Sequence, residues 1–155
     1  MEIRAATSSD IDALLRLSHQ IGALHFEQAP HAFVAPSLAE REFLLDALND
    51  PARLFLLAQR DNQIVGFITA IIAKNEAVPF LLKDPICRVG TLIVDENERT
   101  SGIGRMLMTQ CQQWAKQQGA IQMRLEVMSF NYDAQAFYDK LGFAELSKTL
   151  WMPIG

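Results

Sequence analysis

The residues best suited to chemistry form a polar, glycine-containing run, Arg99 to Arg105, soon after an apolar stretch that ends at Val94. After Gly102 and Gly104, apolar residues recur every three or four positions, which predicts a helix that begins near Ile103. A loop that leads into a helix N-terminus offers unpaired backbone N–H groups, and the helix dipole favours negative charge there. Glycine at such a loop lets a ligand approach the backbone closely. The run therefore predicts a phosphate-binding loop.

Two other kinds of phosphate loop do not fit this run. A P-loop requires a lysine directly after its last glycine, whereas Arg105 follows Gly104. A dinucleotide-binding fingerprint requires Gly or Ala at the position that Leu107 occupies. A glycine turn that only joins a strand to a helix remains the alternative interpretation.

The elements that must position this loop form a mixed series of strands and helices. The turn at Asp61-Asn62 between two apolar runs predicts a hairpin, and one strand–helix–strand crossover predicts a parallel pair, so we expect a mixed sheet. Ser37 and Glu40 have the spacing of a capping box for the second helix. Strands are predicted at 1–6, 54–59, 63–73, 89–94, 121–127, 143–146 and 149–152, and helices at 11–24, 37–49, 103–117 and 133–141.

Length and composition indicate one ordinary globular domain, residues 1–155. A net charge of −4 argues against a broad nucleic-acid-binding surface. No apolar run approaches the roughly 20 residues of a membrane span, and no signal-peptide pattern opens the chain, so we expect a cytoplasmic protein without a membrane partner. Cys87 and Cys111 form no metal-binding pattern, and we interpret them as small buried hydrophobes.

Two motifs at a fixed separation resemble the GNAT superfamily of acyl-CoA-dependent N-acetyltransferases. The first is R-x-x-G-x-G, Arg99 to Gly104. The second begins with Leu125-Glu126-Val127 and continues through Asn131, Ala134 and Tyr138 to Gly142-Phe143. The resemblance implies an α/β GNAT fold, with a mixed central sheet of six or seven strands that splays between strands 4 and 5, flanked by about four helices.

The resemblance also implies how acetyl-CoA binds. No metal is expected, because His25, Glu27 and His31 lack a fixed ligand spacing on one element. The pantetheine arm pairs with the fourth strand, the pyrophosphate lies on the loop, and Asn131 holds the arm or the loop beside it. An ordinary helix cap is the alternative role for Asn131. The residues that the resemblance assigns to acetyl-CoA are Leu92, Ile93, Val94, Arg99, Thr100, Ser101, Gly102, Ile103, Gly104, Arg105, Asn131 and Tyr138.

Acyl transfer to an amine requires a base, an oxyanion donor and a proton for the leaving thiolate. Tyr138 matches the general acid of the family, with core packing as the alternative, and a backbone N–H near Leu92 to Val94 is the oxyanion donor. Many relatives carry a glutamate on the fourth strand where this chain has Gly90 and Thr91. Glu126 matches the base of some relatives that acetylate protein N-termini.

The acceptor is expected to lie against the loop between the first two helices, and the expected substrate-binding residues are His25, Glu27, His31 and Phe33. The sequence therefore predicts transfer of an acetyl group from acetyl-CoA to a primary amine of a small molecule or peptide, by direct attack in a ternary complex. A non-catalytic acyl-CoA-binding module and an acetyltransferase of protein N-termini are the alternatives. A homodimer is compatible with the sequence, and no nucleic-acid partner is expected.

Overall fold

The computed structural model describes all residues 1–155 and consists of a five-stranded mixed sheet with helices on both faces. The mixed α/β class and the four α-helices confirm the predicted fold class. The strands are β1 (Glu2–Ala5), β2 (Leu54–Arg60), β3 (Gln63–Ala73), β4 (Ile86–Val94) and β5 (Met123–Arg124). The helices are α1 (Ile11–Gln28), α2 (Ala39–Leu48), α3 (Ile103–Gln117) and α4 (Tyr132–Leu141), and a 3-10 turn, Ser8–Asp10, precedes α1.

The strands follow one another across the sheet in chain order. Strands β1 to β4 pair antiparallel, whereas β4 and β5 pair parallel because α3 carries the chain back across the sheet. The predicted hairpin is confirmed: Asp61 and Asn62 take positive φ angles of 51° and 63°, as a tight two-residue hairpin turn requires.

Side chains alternate across the sheet, so the long strand β3 contributes to two separate cores. Phe67 lies under α1 and α2 with Leu14 and Leu17, while its neighbour Ile68 lies on the opposite face with Leu107 of α3. All five side chains are fully buried. Burial of each such side chain contributes about 1.5–3 kcal/mol, which fixes the helices on the sheet.

The predicted strands 143–146 and 149–152 do not form, so the sheet has five strands rather than six or seven. The N–H of Phe143 donates to the carbonyl of Tyr138 at 3.1 Å and closes α4. Every residue from Ala144 to Gly155 is exposed, and none makes a backbone hydrogen bond. An extended segment becomes a strand only beside a partner edge, and this segment meets none within its own chain.

Two predicted helix boundaries are also wrong. The capping box is absent, because Glu40 does not reach back to the start of α2; its carboxylate lies 3.9 Å from Nε2 of His19 instead. Helix α1 extends to Gln28, so His25 and Glu27 lie in its last turns rather than in the following loop. No helix is both long and apolar enough to span a lipid bilayer.

Candidate active site

The sheet opens into a fork between β4 and β5. The two strands pair only at Cys87–Met123 and Arg88–Arg124, and beyond Arg88 the facing edge of β4 has no strand partner. The other edge of β4 stays paired with β3 as far as Val94. The predicted acyl-CoA strand positions, Leu92 to Val94, therefore border an open edge onto which an amide-rich ligand can add as a strand.

The loop from Arg99 to Arg105 carries free hydrogen-bond donors at the end of this fork. None of its backbone N–H groups donates to a carbonyl or a side chain of the protein. Thr100 and Gly102 take positive φ angles of 71° and 87°, and Gly102 is the N-cap of α3. The Arg99 and Arg105 side chains are exposed and form no ion pair. The segment thus offers both N–H donors and free positive charge to an anion.

A buried carboxylate anchors the start of this loop. Asp95 accepts a hydrogen bond from the Asn97 N–H at 3.1 Å and from Nη1 of Arg16 at 2.9 Å. These contacts, that of Asn97 first, hold the pKa of Asp95 below its ordinary value despite its burial. Further along, Glu98 accepts from Nη1 of Arg60 at 2.6 Å. The loop is therefore fixed to α1 and β2 before it reaches its glycines.

The two glycines of the loop serve different purposes. A β-carbon placed on Gly102 would have no atom within 4 Å, so lack of space does not explain this glycine. Its positive φ angle does, because side-chain-bearing residues rarely adopt that conformation. A β-carbon on Gly104 would lie 3.0 Å from Cζ of Phe137. Close approach of a ligand is thus not the only explanation for Gly104, because a side chain there would press on the ring of Phe137 in α4.

Tyr138 lies in α4 with its ring mostly buried against Phe137 and Phe143, at centroid distances of 5.3 and 5.7 Å. Burial raises the pKa of its phenol above the ordinary value. The hydroxyl makes no hydrogen bond within the protein. The phenol is therefore protonated at neutral pH, which is the form that a general acid requires.

Asn131 caps α4, since its Oδ1 accepts from the Ala134 N–H at 3.2 Å. The cap interpretation is thus confirmed. The side-chain amide nitrogen makes no hydrogen bond within the protein and is the part of Asn131 that a ligand can use. Gln135 holds the preceding loop through hydrogen bonds to the carbonyls of Met128 and Ser129, at 2.9 and 3.2 Å.

The position on β4 where many relatives carry a glutamate is a β-bulge in this chain. Thr69 pairs with Thr91 and Ala70 with Val89, so Gly90 is the extra residue. A β-carbon on Gly90 would lie 3.2 Å from Oγ1 of Thr69 and 3.7 Å from Nη1 of Arg53. The bulge lies two residues beyond the last β4–β5 pair, at the inner end of the fork.

Arg53 lies beside this bulge, which the sequence did not reveal. Its Nε is buried without a hydrogen-bond partner, and its guanidinium forms no ion pair. Asp46 and Asp50 of the α2 end line a shallow pocket with it. In the sequence Arg53 is only a charged residue before an apolar strand. Its position beside Gly90 depends on the register of β2, β3 and β4.

Glu126, the predicted base, follows β5, is exposed, and makes neither a hydrogen bond nor an ion pair.

Among the predicted acceptor residues, His25 stacks on Phe33 with ring centroids 4.6 Å apart and meets the ring edge of Phe130 at 5.6 Å. Burial lowers the pKa of His25, so its imidazole is neutral at pH 7 and able to accept a proton. Segment 25–36 is thereby joined to the loop after β5 through Phe130, a residue that no sequence motif marks.

The other two predicted acceptor residues do not join this cluster. His31 stacks on Trp151 near the C-terminus with ring centroids 3.9 Å apart. Glu27 is exposed, without a hydrogen bond or an ion pair. The predicted acceptor set thus divides into a half-buried pair, His25 and Phe33, and two residues directed elsewhere.

Neither cysteine is placed for nucleophilic chemistry. The Sγ atoms of Cys87 and Cys111 lie 4.0 Å apart, too far for a disulfide bond, in the core between β4 and α3. The neighbouring thiol and burial raise the pKa of Cys111, and no histidine or carboxylate contacts either thiol. No group of three or more His, Cys, Asp or Glu side chains is arranged to hold a metal ion.

The sequence matches the family model of the acetyltransferase (GNAT) family over residues 19–143. It is 31% identical over 97 residues to an aminoglycoside N(6')-acetyltransferase type 1 of Serratia marcescens, a match that covers 63% of this chain. It is also 35% identical over 60 residues to an uncharacterized N-acetyltransferase, YobR, of Bacillus subtilis, a match that covers 39% of this chain. The chain spans only 24% of the length of YobR and 66% of the length of the Serratia protein.

Solved structures share the whole fold. A point mutant of the BH1408 protein of Bacillus halodurans is 25% identical, with a TM-score of 0.93 and coverage of 99% of each chain. An aminoglycoside N-acetyltransferase crystallised in complex with CoA has a TM-score of 0.74 at 21% identity, over 99% of this chain and 93% of that one. At this identity the second likeness concerns the fold.

Proposed function

The chain belongs to the acetyltransferase (GNAT) family, and from that premise we propose that it transfers an acetyl group from acetyl-CoA to a primary amine of a small molecule. One observation carries the proposal: seven consecutive backbone N–H groups, residues 99–105, lie unpaired at the helix N-terminus beside the open edge of β4. A pyrophosphate and an amide-bearing arm, joined in one ligand, match these two features in order.

The residues present fit acetyl-CoA. The free N–H groups of Thr100 to Gly104 receive the pyrophosphate, and the exposed cations of Arg99 and Arg105 add charge. The open edge of Leu92 to Val94 receives the amides of the pantetheine arm. A structural neighbour crystallised with CoA supports this choice of donor.

In the proposed reaction, the neutral amine attacks the thioester carbonyl and the C–N bond forms before the C–S bond breaks. A backbone N–H of Leu92 to Val94 stabilises the oxyanion of the tetrahedral intermediate. Tyr138 gives its phenol proton to the departing sulfur, so CoA leaves as a thiol. The phenol recovers a proton from solvent, and the nitrogen proton passes to a base.

We assign the base to His25 rather than to Glu126. The imidazole of His25 is half-buried in an aromatic cluster and is neutral at pH 7, whereas Glu126 is exposed and nothing orients its carboxylate. His25 also lies where segment 25–36 meets the loop after β5, which is the proposed wall of the acceptor pocket.

The acceptor is proposed to be a small amine that also carries an oxygen able to accept a hydrogen bond. The curated relative from Serratia marcescens is named for an aminoglycoside substrate, a small amine rich in such oxygens. Arg53 supplies the matching donor: its buried Nε lacks a partner, and its Nη1 lies beside Gly90 at the inner end of the fork.

A screen of amines for acetyl-CoA-dependent release of free thiol tests the proposal. The panel includes aminoglycosides, diamines, amino acids and short peptides with free N-termini, and mass spectrometry identifies the acetylated nitrogen. Acetylation of a small amine is the expected result. Turnover of peptides alone would move the assignment to protein N-termini, and acetyl-CoA binding without transfer to any amine would leave a binding module that lacks the β4 glutamate.

A further inference from the structure

Three arginines lie at the inner end of the fork, on the face of the sheet that packs against α1 and α2. The residues on either side of Arg88 are buried in the core under α3, so Arg88 itself points to the opposite face. The neighbours of Arg124 in sequence also contact that core, which directs Arg124 the same way. Arg53 lines a pocket with residues of α2 and therefore lies on this face as well.

The strand register places these arginines in one row across the sheet, termed the arginine row below. Arg88 pairs with Arg124 of β5 on one side and with Ile71 of β3 on the other. Arg53 comes one residue before the first β2–β3 pair, so continuation of that register places it level with Ile71. Since neighbouring strands are only about 4.8 Å apart, long arginine side chains from this row can meet over one small area.

The side chain of Arg53 reaches across β3 towards Arg88. Its Nη1 lies 3.7 Å from the position of a β-carbon on Gly90, which is two residues from Arg88 in β4. Oγ1 of Thr69 lies 3.2 Å from the same position, and Thr69 pairs with Thr91 across β3 and β4. Paired residues of neighbouring strands share a face, so two hydroxyl groups, which can also donate, lie beside the guanidinium groups.

None of the three arginines has a carboxylate partner, since the ion pairs of the protein all involve other residues. Arg88 is exposed, and Nε of Arg53 is buried without a hydrogen-bond partner. Arg124 donates from Nε to Oε1 of Gln122 at 2.8 Å, which leaves its two Nη nitrogens free. Like charges directly opposite each other on neighbouring strands are destabilising, so an anion bound between them would relieve this repulsion.

The acidic side chains of this region leave the arginine row uncompensated. Asp46 and Asp50 line the pocket beside Arg53, but neither forms an ion pair with it. Oδ1 of Asp50 accepts from the Ala52 N–H at 2.9 Å instead. Glu126, beyond the end of β5, forms no ion pair either. The positive charge of the row is therefore free for a ligand.

We infer that the arginine row binds a carboxylate of the acceptor, and that the acceptor is therefore an amino acid with a free primary amine. A planar guanidinium group donates two parallel hydrogen bonds to a carboxylate. The row lies where the open edge of β4 begins, whereas the proposed pyrophosphate loop lies beyond the other end of that edge. The acetyl group of a donor that lies along the edge thus points towards the row. This last placement rests on the proposed acetyl transfer, whereas the carboxylate site itself does not.

The charge of the arginine row also separates the classes of amine. An acceptor with several ammonium groups would meet three guanidinium groups, and like charges repel strongly where water is partly excluded. An amino acid instead brings one carboxylate for the row and one amine for acetylation. The oxygen proposed above as the partner of Arg53 is accordingly a carboxylate oxygen.

Calorimetric titration in the presence of CoA, which lacks the acetyl group, tests the carboxylate site without turnover. The probes are the protein amino acids, β-alanine and 4-aminobutyrate, each beside its primary amide, together with O-phosphoethanolamine. We expect at least one amino acid to bind at least about tenfold more tightly than its amide, because the amide loses the charge-assisted hydrogen bonds.

Arg88→Met provides the matching change in the protein. Arg88 is exposed, so the substitution should spare the fold, which circular dichroism verifies. It should weaken binding of the amino acid at least about tenfold and leave binding of the amide unchanged. Lys116→Met removes an exposed cation of α3, on the other face of the sheet, and is the control that should bind like the parent.

Several results would overturn the inference: no binding of any amino acid, equal binding of amino acids and amides, O-phosphoethanolamine as the sole ligand, or equal effects of Arg88→Met and Lys116→Met. The acetylation assay separates this failure from that of the proposed function. Acetylation confined to neutral or polycationic amines would overturn the carboxylate site and leave acetyl transfer standing. Amino-acid binding that depends on Arg88, without transfer to any amine, would leave the site standing and overturn the proposed reaction.

Discussion

The ring of Phe137 lies 3.0 Å from the position that a β-carbon on Gly104 would occupy. Helix α4 therefore packs directly on the first turn of α3, where the unpaired N–H groups begin. Tyr138 is the next residue along α4, so this one contact fixes the proposed acid relative to the proposed phosphate loop. In the proposed complex, a single helix–helix packing would therefore position both the pyrophosphate and the thioester sulfur of acetyl-CoA.

Replacement of Gly104 by alanine should disturb this packing. Overpacking costs about 1–3 kcal/mol, and movement of the first turn of α3 should weaken acetyl-CoA binding at least about tenfold, or about 1.4 kcal/mol. Isothermal titration calorimetry measures the affinity. The double variant Gly104→Ala/Phe137→Leu relieves the contact and should regain most of it. If Gly104→Ala alone binds acetyl-CoA as tightly as the parent, then a β-carbon at this position disturbs neither the helix packing nor the ligand.

Tyr138→Phe should lower kcat by roughly 10²-fold, the lower range for general acid catalysis, because it keeps the ring and removes the hydroxyl that donates the proton. Acetyl-CoA affinity should change by less than about threefold, since at most one weak hydrogen bond is lost. Steady-state kinetics and calorimetry measure the two quantities. Tyr132→Phe, at a tyrosine 75% exposed at the start of α4, is the control and should behave like the parent. Equal kcat in both variants would leave Tyr138 as a packing residue.

His25 should impose a pH dependence on the reaction. Burial lowers its pKa, so the neutral base predominates at pH 7, and kcat/KM should fall as the pH drops through a value below about 6.5. His25→Gln should lose this limb together with most activity, whereas His19→Gln should keep it. The lowered pKa of His25 also affects folding. The free energy of unfolding should fall as the pH decreases below the pKa of His25 in the unfolded chain, because the unfolded chain binds the proton more readily than the folded one. An unchanged acid limb in His25→Gln would return the base to Glu126.

Arg53 should govern acceptor binding rather than cofactor binding. Arg53→Met retains much of the packing but removes every donor, so the acceptor KM should rise by about tenfold, the effect of one lost charge-assisted hydrogen bond. Arg53→Lys retains the charge without Nε and should recover only part of this. Acetyl-CoA affinity, measured by calorimetry, should remain at the parent value in both. A parent-like KM in Arg53→Met would exclude the acceptor role.

Asp95→Asn should destabilise the fold by about 1–3 kcal/mol, because it weakens two hydrogen bonds at a buried position, to Arg16 and to the Asn97 N–H. Urea unfolding measures the loss. Glu98→Gln, at the more exposed ion pair with Arg60, is the control and should lose less than about 1 kcal/mol. Since the pKa of Asp95 is lowered in the fold, its contribution is complete above the unfolded pKa and disappears as the pH falls through the folded pKa.

The sequence predicted best what local chemistry determines. Gly102 opens α3, and Asp61-Asn62 turns a hairpin, because positive φ angles belong to few residue types. The prediction of two C-terminal strands was wrong, because an apolar extended run becomes a strand only if the edge of another strand is available to pair with it. The sequence could not predict the contact of Arg53 with Gly90 or that of Phe130 with His25. Residues distant in sequence meet only once the strand register and the loop courses are fixed.

The fork has one more consequence, for the cooperativity of the sheet. Strand β4 is hydrogen-bonded on both edges only near Cys87 and Arg88, and on one edge from Val89 to Val94. A ligand that adds to the open edge supplies there what a sixth strand supplies in a closed sheet. We therefore expect the outer part of β4 to be less protected from local opening than the part near Cys87 and Arg88. If the donor substrate adds to this edge as proposed, acetyl-CoA is a removable element of the protein's own secondary structure.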